Sequence, residues 1–210
     1  MSDLGTMVRR IREDLDRGTD FDARIKQSIC DAIVYYSPNR LGFNTKRARA
    51  LITSGAEFVS LPLDWVEADY LRLEDNGNRI PFDEVTYDWI EDHRDNDNDR
   101  GMPQKYAIQH REMRLWPIPD RSYTLVFSFQ YQLGNVSISS SDAETNGWMT
   151  EAEQLIRTWA QGDVLINHID GPEATEKGVM LQAKAESIFL PKLEARAARE
   201  QSSGKVKAFL

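Results

Sequence analysis

The sequence predicts an α+β fold: terminal helices forming an antiparallel helical bundle, with a mostly antiparallel β domain inserted between them. Three observations carry this. Apolar residues recur at helical spacing before residue 38 and again after residue 150. Between about residues 44 and 140 the spacing becomes alternation, punctuated by turn residues. No strand–helix–strand rhythm and no repeat of fixed period runs through the chain. The expected organisation is an N-terminal helical hairpin over 1–43, a β-rich insertion over 44–140, C-terminal helices over 141–200 and a flexible tail over 201–210.

Leu4, Val8, Ile11 and Leu15 fall at i, i+4, i+7 and i+11, one face of a first helix that ends before Gly18. Thr19-Asp20-Phe21-Asp22 has capping-box spacing, with Asp in place of Glu, and opens a second helix. Its stripe is Phe21, Ile25, Ile29, Ile33 and Tyr36, and Ser37-Pro38-Asn39 stops it. Arg47–Thr53 and Glu57–Leu61, split by Ser54-Gly55, read as a hairpin. Pro62-Leu63-Asp64-Trp65 reads as a short helical turn. Asn76-Gly77, between Tyr70–Leu73 and Arg79–Pro81, predicts a second hairpin because both residues tolerate positive φ. Phe82–Ile90 reads as a short helix with Val85, Trp89 and Ile90 inward. Glu91–Arg100, which has no aliphatic side chain, reads as a solvated loop.

Lys105–Gln109, Met113–Trp116 and Tyr123–Gln132 predict the strands of a meander. Pro117 and Pro119 between them fix φ and withhold ladder donors. In the last strand Tyr123, Leu125, Phe127, Phe129 and Tyr131 share one face. Ser137–Glu144 is a Ser-rich connector. Thr150-Glu151-Ala152-Glu153 is a full capping box ahead of the apolar face Ala152, Leu155, Ile156, Trp159, Ala160 and Ile166. Asp170-Gly171-Pro172 ends that helix and opens the last one, which runs to about Arg199 and which Pro191 kinks or divides near Leu190. Ser202-Ser203-Gly204 then reads as a hinge that frees the end of the chain.

Hydrophobic residues make up 40% and charged residues 29%, the balance of a chain that folds around a core. A net charge of −8 disfavours sequence-reading of nucleic acid, whose phosphates an acidic surface repels. Cys30 is the single cysteine, so no internal disulfide forms. Its place in an apolar helical pattern reads as a small buried hydrophobe rather than a nucleophile. Arg9 and Arg10 precede no apolar signal core, and no apolar run approaches the ~20 residues of a membrane span. The expectation is a chain made and kept in the cytoplasm.

No phosphate-binding, dinucleotide-binding, zinc-protease or nucleophile-elbow motif occurs. His93, His110 and His168, placed on an acidic loop, a strand and a late helix turn, have no second His or Cys at metal-ligand spacing. Asp95, Asp97 and Asp99 imitate the start of a calcium loop. Arg100 and Gly101 follow where that loop needs Gly and further acceptors, so the cluster reads as a solvated turn. The five tryptophans read as core packing rather than as a glycan platform, and Glu151 and Glu153 as helix N-terminal charges rather than a catalytic pair. No catalytic, cofactor-binding or metal-binding residue is assigned.

Three stretches remain: the opening Leu4-Gly5-Thr6-Met7-Val8 through Asp14-Leu15; Leu61-Pro62-Leu63-Asp64-Trp65 ahead of a strand; and the meander from Pro103-Gln104-Lys105-Tyr106 through Trp116-Pro117-Ile118-Pro119-Asp120 to Tyr131, followed by Asn146 and the helix over Thr150–Ile169. In this order they resemble the head-to-tail adaptor (connector) proteins of tailed bacteriophages. The resemblance covers nearly the whole chain, and each motif is fold chemistry rather than catalytic chemistry.

The resemblance implies a virion structural protein of the neck between capsid and tail, not an enzyme and without a cofactor. It implies a ring of subunits, usually twelve, beneath the portal protein. Such a ring extends the DNA channel, passes genomic DNA without sequence-specific binding and gives the next neck or tail component a platform. No membrane partner is implied. Within that frame Lys205, Val206, Lys207, Ala208, Phe209 and Leu210, two lysines alternating with small or apolar residues and an apolar end, are the candidate portal-docking tail. The alternatives are a tail-completion or stopper protein lower in the neck and a ligand-binding β module.

Overall fold

The computed structural model of the chain describes residues 2–94, 99–133 and 136–206. The chain divides into two compact units, Met1–Asn44 with Leu133–Leu210, and Thr45–Gln132.

The first unit is helical. Helix α1 (Leu4–Asp14) is capped by the Asp3 carboxylate, which accepts from the Thr6 amide at 2.7 Å, and it buries Leu4, Met7, Val8 and Ile11. A 3₁₀ turn (Thr19–Phe21) leads into α2 (Asp22–Tyr36), which buries Ile25, Ile29, Ile33 and Tyr36. The box expected at Thr19–Asp22 does not form. The Asp22 carboxylate is taken by the Arg12 guanidinium at 2.9 Å, tying α2 back to α1.

After the connector, whose Asp142 and Glu144 carbonyls accept from the first amides of α1, comes the short helix α4 (Gly147–Thr150). Asn146 caps it, accepting from the amides of Trp148 and Met149. This corrects the capping box read at Thr150: Thr150 turns its hydroxyl back to the Asn146 carbonyl, and Glu153 pairs with Arg10 at 2.5 Å. Helix α5 (Glu153–Asn167) then runs through the middle of the unit, packing on α1, α2 and α6 (Pro172–Lys184). Gly171, at φ 122°, makes the turn between α5 and α6. A π turn (Ala185–Phe189) separates α6 from α7 (Leu190–Val206). The interruption expected of Pro191 is there, one turn earlier, where the wider spiral accommodates the proline's missing donor. Leu133 and Val136 join the helical core.

The second unit is all but entirely β. One sheet has the order β1 (Thr45–Ile52), β10 (Tyr123–Tyr131), β3 (Trp65–Asp75), β4 (Asn78–Ile80). The other has β2 (Phe58–Ser60), β8 (Glu112–Trp116), β7 (Lys105–Gln109), β5 (Asp83–Glu84). A two-stranded pair joins β6 (Arg100–Gly101) to β9 (Ile118–Pro119). All pairings are antiparallel except β5 with β7 and β6 with β9. The core between the sheets takes Ile52, Leu73, Met113, Leu115, Tyr123, Leu125, Phe127 and Phe129.

The Asn76-Gly77 hairpin is present, with both residues at positive φ. The hairpin read over Arg47–Leu61 is corrected: β1 pairs with β10 and β2 with β8, in different sheets. Alternation marks a strand without naming its partner, and Gly55 (φ 77°) turns the chain from one sheet to the other. Residues 82–90 are corrected too. Asp83–Glu84 is a parallel strand, and α3 (Tyr87–Arg94) begins later and runs into the segment read as loop. His110 lies in the β7–β8 turn at φ 48°, not on a strand. Finally, β10 is buried on both faces: its outward Val126 lies between Arg49 and Arg72, whose long side chains cover it.

Candidate assembly surfaces

In the helical unit, Ser28 on α2 donates to Asp163 on α5 at 2.7 Å, and Asn167 donates to the other Asp163 oxygen at 2.7 Å. This buried group fixes how α2 lies along α5. Above it a second contact reaches the surface. Tyr35 and Trp159 stack with centroids 5.5 Å apart and 24° between planes, and the buried Tyr36 ring stands edge-on to Tyr35 at 5.0 Å. The Tyr35 hydroxyl donates to Glu186 at 3.0 Å, and this bond to a carboxylate raises the Tyr35 pKa. Val34 is 68% exposed and Tyr35 55%. The patch is therefore apolar and aromatic, with Asp31 and Glu186 at its rim.

Helix α7 has the opposite sign. Its inner residues Leu193 and Ala197 pack by Gly42 and Phe43, and Arg196 clamps it with bonds of 2.9 Å to both Glu151 and Glu200. A Cβ at Gly42 would meet only the mobile end of the Glu200 side chain, with the Ala197 backbone at an ordinary 4.0 Å. Its outer side, continued back to Ile188 in the π turn, is an open shallow strip with Pro191, Lys192, Ala195 and Arg199. These residues recur at i, i+3/4, i+7 and i+11, one face of the helix.

The expected tail is placed in part. Lys205 and Val206 form the end of α7, which runs unbroken through Ser202-Ser203-Gly204, so no hinge occurs there. Lys207, Ala208, Phe209 and Leu210 lie outside the described residues.

In the β unit, Arg114 is only 3% exposed. Its guanidinium lies over the rings of Phe58 (5.3 Å) and Tyr87 (5.0 Å), meets Glu57 at 3.3 Å and pairs with Glu91, while Arg94 also holds Glu57. This network pins α3 to β8. On α3, His93 then stacks on Trp89 at 3.7 Å and Trp116 meets Trp89 edge-on at 5.3 Å.

Elsewhere the candidate chemistry disperses. Burial pushes the Cys30 thiol up, away from the thiolate a nucleophile needs. Asp99 uses its backbone carbonyl to accept from Ile118, and Asp95 and Asp97 lie outside the described residues. Among the described residues no group of three or more His, Cys, Asp or Glu side chains is gathered to hold a metal ion. No helix among them is long and apolar enough to cross a membrane.

Residues 2–169, from α1 through the β unit to the end of α5, match the SU10 adaptor protein family. The chain belongs to that family. No curated protein matches it. The phage adaptor thus has its matched fold in the helical core and the β unit, while α6, the π turn and α7 lie beyond the matched segment. The adaptor's exposed Tyr35 and buried Arg114 carry no sequence signal of their role. Tyr35 falls off the apolar stripe of α2 beside Tyr36, which is on it. Arg114 lies between the core residues Met113 and Leu115 and faces the opposite side of β8, where Phe58, Tyr87, Glu57 and Glu91, all remote in sequence, account for its burial.

Proposed function

We propose that this adaptor forms a ring, of twelve copies, beneath the portal protein in the virion neck, extends the DNA channel and gives the tail its attachment platform. The observation that carries the reading is the family membership over residues 2–169. Two surfaces of opposite charge on the helical unit support self-association. The net charge of −8 suits a channel wall past which DNA slides, because an acidic wall does not grip phosphates. The chain is made in the host cytoplasm and carries no catalytic role. The end of the chain, Lys205, Val206, Lys207, Ala208, Phe209 and Leu210, docks on the portal by apolar anchoring.

Co-sedimentation with the cognate portal, with mass measured for the free protein and the complex, tests the reading. A complex at ring stoichiometry is the expected result. Failure of a folded subunit to bind the portal would overturn it. Removal of residues 204–210 is expected to abolish portal binding, and retained binding would refute the role of the tail.

A further inference from the structure

We propose that neighbouring copies of the chain join through two different faces of the helical unit. The acidic-rimmed aromatic patch of Val34, Tyr35 and Trp159 on one copy receives the α7 strip of Ile188, Lys192, Ala195 and Arg199 from the next. This rests on the ring reading and names its contact.

Stacked, half-open aromatic rings are the residue type that dominates interface energy when a partner seals them from water. Tyr35, backed by Trp159, offers a flat ring whose rotamer is already fixed by the stacking and by the Tyr35–Glu186 hydrogen bond, so little side-chain freedom remains to be lost on contact. The strip on α7 is the counterpart. Ile188, Pro191 and Ala195 are small or aliphatic and exposed, giving a smooth ridge for aromatic rings, and Lys192 and Arg199 flank it with positive charge. The rim of the patch is negative, at Asp31 and Glu186. Matched signs set the register of such a contact and exclude like faces: patch against patch or strip against strip would bring equal charges together. A contact between two unlike faces of one chain is heterologous, and only such a contact repeats around a closed ring.

The test uses the full chain with its portal and reads assembled mass. Asp31→Lys with Glu186→Lys reverses the patch, and Lys192→Glu with Arg199→Glu reverses the strip. Each pair is expected to reduce ring formation at least tenfold, and the four changes in one chain to restore it. Ala195→Trp, at an exposed helix position that leaves the core untouched, is expected to block assembly as well. Circular dichroism confirms that each variant is folded. Wild-type rings with undiminished assembly by both reversals and by Ala195→Trp would overturn the contact and leave the ring standing. Loss of assembly in both reversals without restoration in the combined chain would also overturn it. A wild-type chain that stays monomeric, or stops at two copies, with the portal present overturns the ring and this contact together.

Discussion

Gly162 and Gly178 face each other where α5 crosses α6: a Cβ on Gly162 would stand 2.6 Å from the Gly178 carbonyl oxygen, and one on Gly178 would stand 2.7 Å from that of Gly162. Backbone atoms cannot swing aside, so the crossing distance depends on both hydrogens. Gly178→Ala gains up to ~1 kcal/mol of helix propensity and meets an overpacking cost of ~1–3 kcal/mol. The net expectation is a loss of about 1–2 kcal/mol, read as a lower urea midpoint at unchanged slope. A raised midpoint would mean that the two helices can part at no cost.

The Tyr36 hydroxyl is buried with no hydrogen-bond partner among the described residues, and burial raises its pKa. Unpaired burial of a hydroxyl costs ~1–3 kcal/mol, whereas the ring itself packs well against Tyr35 and Trp159. Tyr36→Phe is therefore expected to stabilise the helical unit by about 1 kcal/mol, seen as a higher melting temperature. Destabilisation would show that the hydroxyl is satisfied in solution.

Arg114 is the only link between β8 and the carboxylates of Glu57 and Glu91 that the described contacts contain. Removing one partner of a buried ion pair costs ~3–5 kcal/mol, but Glu57 keeps Arg94 and the Glu91 side chain, 47% exposed, regains water. Arg114→Met is expected to cost about 2 kcal/mol and to speed tryptic cleavage after Arg94 as α3 loosens. Unchanged cleavage with unchanged stability would assign α3 to other contacts.

Hydrogen bonds from the Thr6 hydroxyl and amide hold the Asp3 carboxyl below the ordinary Asp range. A depressed folded-state pKa contributes stability that is present above the unfolded value of ~3.9 and is lost as the pH falls through the folded value. Asp3→Asn keeps a good capping oxygen but removes the titration. The variant is expected to match the native chain near neutrality and to show a flatter acid limb in melting temperature below about pH 4. An identical acid limb would remove Asp3 from the acid response.

The helices were legible because their signal is local. The stripe of α2 and the interruption near Pro191 follow from spacing and from one residue's missing donor. The Asn76-Gly77 turn was legible for the same reason. Partners in the sheets were not, since β1 and β2 each satisfy the alternation rule and find mates more than fifty residues away. The capping boxes failed because Asp22 and Glu153 had stronger claims on them from Arg12 and Arg10. The surface patch is not legible in the sequence because nothing in the order Val34-Tyr35-Tyr36 says that Trp159 will lie under the middle residue.

Thr45 pairs with Gln130 across β1 and β10, so the β unit begins and ends side by side. A segment closed on itself in this way behaves as a cassette. Strands can be added, trimmed or exchanged within it at one point of entry, without any change in the order of helices before and after. Related neck proteins can therefore be expected to differ most in length and sequence between these two positions while keeping the helical residues in step. A chimera that carries a foreign β cassette on this helical frame would inherit the contacts of the frame and the partner choice of the donor.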